Sequence, residues 1–241
     1  ACGINSSFAG HAPHTTSPQF LNLLKKETLK TKSPFSIHVA ESEEERVFIT
    51  TKGGKWRDFL RERGVDISSW PLPSRSSLHY LNSLNILDSS TIVVHLIDID
   101  DRDISILGES LAKPVFCLRS NFNLHKRVAN IKKVMEFQNG ALKPSLGTDS
   151  AASSDSLSMF DEMAFALNSF PNIPPYKIFE MATINGAFAL GYEKYFGTLE
   201  KGKAASMLYT PLTFENPSDI LNISLSNSKI CEKIILDIIF T

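Results

Sequence analysis

Two short runs in this chain have residue types suited to chemistry: Ser36-Ile37-His38-Val39-Ala40-Glu41 and Gly147-Thr148-Asp149-Ser150. Each is a β-type stretch that ends in polar residues able to bind a metal or move a proton. A neutral imidazole such as His38 is a common ligand for zinc and iron. Glu41, three residues on, can exchange protons with water held on a metal. His95 interrupts the apolar run Thr91 to Ile97, and Asp149 offers a carboxylate as ligand or base. Arg119-Ser120-Asn121 follows another β-type run, Pro114 to Leu118, and can hydrogen-bond a substrate. Four successive predicted strand ends therefore carry His38, His95, Arg119 to Asn121, and Asp149. In a parallel α/β barrel, strand C-termini meet over one face, so the set reads as a metal hydrolase site. The sequence contains no His-x-His pair.

Each residue also has a plainer reading. His38 can bond to backbone, and Glu41 can join Glu43, Glu44 and Glu45 at an acidic helix start. A buried His95 needs a partner, which a main-chain carbonyl would supply. Asp149 suits an Asx-turn or a helix cap, and Arg119 to Asn121 suit loop capping. His11 and His14 flank Ala12-Pro13 in a loop, where histidines are ordinarily solvated. His79 and His125 fall on predicted helices and are expected to face solvent. The combination, more than any single residue, carries the functional reading.

The elements that must position these residues follow a β-α rhythm. Residues 2–9 read as a short strand. Ser17-Pro18 reads as an N-cap with Pro at the first helical position, opening a helix that runs to about Lys30. A strand at Phe35 to Ala40 is followed by a helix from Glu43 to Thr50. Residues 51–75 form a long irregular region, with Gly53-Gly54, a helical piece at Trp56 to Arg63, and Trp70-Pro71-Leu72-Pro73. Such insertions are commonly lids or binding loops. Further helices are expected at Ser76 to Asn85, Asp100 to Glu109, Lys126 to Phe137, Asp155 to Asn168 (with Asp155 as N-cap) and Pro174 to Leu190, the last stopping at Gly191. Strands are expected at Thr91 to Ile97, Pro114 to Leu118 and Lys143 to Gly147. Five β-α units predict a parallel α/β architecture. After Phe196, a turn-rich stretch and β-like runs at Ala205 to Tyr209 and Ile230 to Phe240 predict a small β appendage.

Composition excludes several classes. The 241 residues carry a net charge of −1 and are 42% hydrophobic, ordinary for a globular chain with a real core. That charge gives no electrostatic case for a nucleic acid or an anionic membrane as partner. No apolar run approaches the roughly 20 residues of a membrane span, and no signal peptide is visible. Cys2, Cys117 and Cys231 have no CxxC spacing, which suits a reducing, cytoplasmic compartment. The chain opens Ala1-Cys2-Gly3 without Met, in what reads as the end of a strand, so an upstream segment is expected.

The order of motifs resembles the amidohydrolase superfamily, in its branch of cytosine, S-adenosylhomocysteine, aminofutalosine and chlorohydrolase-like enzymes. The carrying motifs are His11-Ala12-Pro13-His14-Thr15-Thr16-Ser17-Pro18, His38-Val39-Ala40-Glu41-Ser42, Val94-His95, Cys117-Leu118-Arg119-Ser120-Asn121, Gly147-Thr148-Asp149-Ser150, and Gly197-Thr198-Leu199-Glu200-Lys201-Gly202-Lys203. The region Gly53 to Leu60 with Trp70 to Pro73 looks most like the aminofutalosine deaminase group. The resemblance implies a partial (β/α)8 TIM-like barrel over 1–196 and, over 197–241, a small β segment of an appended domain. It implies His38 and Asp149 as metal ligands, with Asp149 also catalytic. Glu41 would be the proton shuttle, and His95 would orient the metal-bound hydroxide. His11 and Arg119 would contact substrate. It implies a divalent metal, zinc first and iron as the alternative. The expected reaction is hydrolytic deamination of an aminated purine-like ring, such as aminofutalosine or an adenosine-type nucleoside.

Three features depart from the family pattern. The His-x-His strand and roughly three β-α units are absent, which leaves two ligands where catalytic zinc usually has three. Poor metal binding by this chain alone is therefore expected, with completion by a missing N-terminal half or a homo-oligomer. Leu118 also stands where Pro is usual, and Ser206 where an acidic residue is usual. The competing readings are a non-catalytic, truncated or degenerate half-barrel, and a hydrolase that removes chloride or an amine from a triazine-like ring.

Overall fold

The computed structural model describes residues 6–209 and 232–239. In chain order the first elements are α1 (Pro18–Thr31), β1 (Phe35–Val39), α2 (Glu43–Thr51), α3 (Gly54–Glu62), α4 (Ser77–Ser83), β2 (Thr91–His95), α5 (Asp101–Ser110) and β3 (Lys113–Phe116). Then come α6 (Leu118–His125), α7 (Ile131–Glu136), β4 (Ser145–Leu146), α8 (Ala151–Ser154), α9 (Met159–Ser169), α10 (Pro175–Ala182), α11 (Ile184–Leu190), β5 (Ala204–Tyr209) and β6 (Glu232–Ile239). The chain divides into two compact units, Ala1–Phe116 with Arg127–Leu142, and Cys117–Lys126 with Lys143–Thr241.

In the first unit β1, β2 and β3 pair in parallel in that order, with Phe35 opposite Thr91, Val39 opposite His95, and Val94 opposite Val115. Side chains alternate along a strand. Phe35, Ile37 and Val39 are buried, while Ser36 and His38 are half-buried on the other face. The buried residues pack in a core with Leu21, Phe48, Ile49, Leu78, Leu81, Val93 and Phe116. The Ser17 hydroxyl accepts the Phe20 N–H at 3.2 Å and Pro18 opens α1, whose buried face includes Leu21 and Leu24. Buried Lys25 donates to Asp88, Ser90 and Thr91 at 2.7–2.8 Å, fastening α1 to the start of β2.

The expected strand over residues 2–9 is reduced, within the described residues, to a single parallel bridge between Ala9 and Ser36. The rest of the predicted segment, through residue 5, lies outside them. The helical piece expected at Trp56 to Arg63 within the 51–75 region forms as α3, and Trp70 and Leu72 are buried. The predicted helix from Lys126 does not form as one piece. Lys126 adopts φ 55° and ends α6, and α7 begins only at Ile131, where the Asn130 side chain accepts the Lys133 N–H. Val128, expected on that helix, lies in the connection. Cys117 is buried, while Cys2 and Cys231 lie outside the described residues.

In the second unit three expectations are corrected. Leu118 is not the end of a strand: it starts α6, so Arg119, Ser120 and Asn121 are helical. Asp155 is not an N-cap. It sits at φ 62° as the C-cap of α8, a conformation Asp tolerates better than most residues, and Ser158 caps α9 instead. The helix expected from Pro174 is divided at Thr183, whose φ −125° and ψ −93° are not helical; α11 does end at Gly191, in the left-handed region. β5 and β6 pair antiparallel. No helix among the described residues is long and apolar enough to cross a membrane.

Candidate active site

The first unit brings together His38, Glu41 and His95. One ligand-capable atom from each lies within 4.8 Å of the others. Glu41 Oε2 is 3.5 Å from His95 Nε2 and 3.9 Å from His38 Nδ1. The His38 and His95 rings stand edge-on with centroids 4.6 Å apart. His95 is fully buried, whereas the His38 side chain is 36% exposed. Imidazole nitrogens and a carboxylate oxygen converging at this distance form a donor set suited to zinc or iron.

Backbone geometry explains the convergence. In an unbroken strand His95 would project with its register partner Val39, away from His38. Its φ of 81° ends the alternation, and Leu96 follows at φ 54°. His11 at 46° and Asp149 at 59° are also in the left-handed region. Non-glycine residues held there cost on the order of 1–3 kcal/mol each, and such strain concentrates at functional sites. Sequence pattern alone carries no signal for these φ values.

The loop before α1 is tied to β1, because His38 donates its N–H to the His11 carbonyl at 2.7 Å. His11 is exposed, its ring 5.6 Å from that of His38 and its Nδ1 2.6 Å from the Thr15 hydroxyl. His14, expected to be solvated, is buried instead against Trp56, at 4.4 Å between centroids. Burial, with smaller contributions from His11 and His38, lowers its pKa to about 3. Glu45 was not singled out by its sequence position, yet it is fully buried and accepts the N–H groups of Ala40 and Glu41. The spacing Ser42-x-x-Glu45, that of a capping box, was the available signal. Of the two helical histidines, His79 is exposed as expected, and His125 is half-buried.

The second unit brings together Asp149 and the Arg119-Ser120-Asn121 run. Asp149 Oδ2 accepts the Ser120 hydroxyl at 2.6 Å and the Ser153 hydroxyl at 2.8 Å, which orient the carboxylate. The Arg119 guanidinium donates to the Ser156 hydroxyl at 3.0 Å. Buried Glu162 accepts the N–H groups of Leu118 and Arg119, first-turn donors that have no partner inside α6. This explains why a helix starts at Leu118. Burial, the largest influence, raises the Glu162 carboxyl to about 7.

That shift sets a pH dependence. Between the unfolded value near 4.5 and about 7 the folded chain holds a proton on Glu162 that the unfolded chain has lost. The contribution to stability is therefore full below about pH 4.5 and is lost as pH rises through 7. Glu162→Gln removes this slope. Urea midpoints at about pH 5 and about pH 7.5 are expected to show the wild type losing ground to the variant at the higher pH.

The sequence profile of the amidohydrolase family matches residues 2–230. The chain belongs to this family. Among amidohydrolase relatives, a 5-methylthioadenosine/S-adenosylhomocysteine deaminase of Saccharophagus degradans is 32% identical over 218 residues, covering 85% of this chain and 42% of that protein. The chain spans less than half the length of the curated relatives it matches. Among solved structures, Helicobacter pylori aminofutalosine deaminase in complex with methylthio-coformycin superposes with a TM-score of 0.80 at 21% identity, covering 98% of this chain and 57% of that one. An adenosine deaminase from Xanthomonas campestris with bound zinc gives 0.73 at 22%, covering 92% and 48%. At these identities the structural likeness speaks to the fold alone.

Proposed function

We propose that this amidohydrolase chain carries the chemistry of a metal-dependent hydrolytic deaminase acting on the aminated purine ring of an adenosine-class nucleoside. The observation that carries the reading is the convergence of His38, Glu41 and His95 at strand ends. The names of the relatives point to the substrate class. In the overall reaction water adds to the amine-bearing ring carbon, the C–N bond breaks, ammonia leaves and a carbonyl remains. A divalent metal, zinc first and iron as the alternative, supplies Lewis-acid activation of water near neutral pH when bound. His38 serves as an imidazole ligand and Asp149 as a carboxylate donor that also takes part in catalysis. Glu41 takes a proton from the attacking water and returns one toward the leaving amine. His95, held rigidly by burial, orients that water by hydrogen bonding. His11 and Arg119 hold the nucleoside.

We read 1–196 as part of a (β/α)8 barrel, with 197–241 belonging to an appended β domain, and the protein as cytoplasmic. Zinc binding by this chain alone is expected to be weak, because the reading gives it two protein ligands where catalytic zinc usually has three. The test is native mass and metal content of the 26.8 kDa chain, followed by ammonia release from adenosine and 5-methylthioadenosine with zinc supplied. Zinc-dependent release that is lost in His38→Ala supports the proposal. A chain that holds zinc through His38 and releases no ammonia from either nucleoside overturns it in favour of a non-catalytic half-barrel.

A further inference from the structure

Glu45 lies on α2, outside the group formed by His38, Glu41 and His95, yet it grips that group's backbone at two consecutive points. Its Oε1 accepts the Ala40 N–H at 2.8 Å and the Ser77 hydroxyl at 2.5 Å, and its Oε2 accepts the Glu41 N–H at 3.0 Å. The side chain is completely buried. A carboxyl is costly to bury, and these three donors are what offset the cost.

An ordinary capping box would send this side chain back to the N–H of the N-cap residue. Half of that arrangement is present, since the Ser42 hydroxyl accepts the Glu45 N–H at 3.2 Å. The Glu45 carboxyl instead reaches past Ser42 to the peptides that turn the chain between His38 and Glu41. Ala40 sits there at φ 54°, a conformation a non-glycine residue keeps only when its surroundings hold it. The neighbouring peptides are anchored on the other side as well: the Ala40 carbonyl accepts the Asp98 N–H at 3.0 Å, and the Val39 carbonyl accepts the Leu96 N–H at 3.0 Å. The 40–41 turn is thus held from α2 on one side and from the end of β2 on the other.

We propose that Glu45 is a positioning residue: its carboxyl fixes the Ala40 and Glu41 peptides and so aims the Glu41 side chain at His38 and His95. Its effect on turnover rests on the proton-transfer role proposed for Glu41; its effect on the backbone does not. Glu45→Gln keeps the shape but turns one of the two acceptor oxygens into a donor.

The test is amide hydrogen exchange of the metal-free chain by NMR, paired with kinetics of the zinc-supplied chain. In Glu45→Gln, exchange at Ala40 and Glu41 is expected to rise about tenfold or more relative to Val39 and Phe48. With zinc and nucleoside, kcat is expected to fall about tenfold or more with KM within about twofold, and no further fall is expected when the change is added to Glu41→Gln. Should Glu45→Gln fail to fold, Ser77→Ala leaves the carboxylate one donor short and is expected to give a smaller rise at the same two amides. Unchanged exchange at Ala40 and Glu41 in the folded variant overturns the inference whatever the activity. A localised rise in exchange, with a zinc-loaded wild type that never releases ammonia, supports it and overturns the deaminase reading alone.

Discussion

Glu41→Gln is expected to lower ammonia release about 10²–10⁴-fold, the usual contribution of a positioned general acid–base group. Glutamine matches the shape of glutamate but cannot take up a proton at neutral pH. In the structure Glu41 Oε2 stands 3.5 Å from His95 Nε2 and 3.9 Å from His38 Nδ1, so the carboxylate faces the two imidazoles that the proposed function sets beside the attacking water. Because the interaction is made chiefly in the transition state, kcat and kcat/KM are expected to fall together, with KM little changed. Zinc content is the deciding companion measurement. Unchanged zinc with lost turnover marks Glu41 as the proton carrier. Zinc lost in step with turnover would make it a ligand instead, a role its place in the three-residue cluster permits.

The cluster was legible in the sequence because His38 and His95 lie at the ends of strands with strong apolar character and Glu41 follows the first of them by three residues. Phe35 to Val39 and Thr91 to His95 alternate or run apolar as buried parallel strands do, and that pattern places His38 and His95 at their ends. The helix start at Ser17 was legible for a similar reason: a hydroxyl at the N-cap is a local signal with a local consequence. What was not legible depends on tertiary context. Leu118 extends an apolar run and reads as strand, but Glu162, 44 residues later, binds the N–H groups that make it the start of a helix. His14 looks like any loop histidine until Trp56, from the irregular 51–75 region, covers it. Glu45 reads as one acidic residue among three at a helix start, and only the fold shows that it alone is buried.

Phe35→Ala is expected to destabilise the chain by about 3–5 kcal/mol, a large part of the roughly 5–15 kcal/mol that holds a typical domain folded. The ring is fully buried at the start of β1, and the Lys25 ammonium lies 5.7 Å from its centroid. The strand that begins at Phe35 carries His38 three residues later, so zinc binding is expected to weaken along with stability. Gly10 shows how tightly the ring is enclosed: a Cβ at that position would meet Phe35 Cζ at 2.6 Å and Leu21 Cδ2 at 2.7 Å. Gly10→Ala alone is therefore expected to cost about 1–3 kcal/mol through overpacking. Phe35→Leu, which shortens the ring to a branched chain, relieves one of those two contacts. The double variant Gly10→Ala/Phe35→Leu is then expected to lose less than the sum of the single losses, because the added methyl fills part of the space the ring vacates. Urea unfolding of the four proteins measures the coupling directly. Additive losses would mean that Leu21, and not Phe35, sets the limit at Gly10.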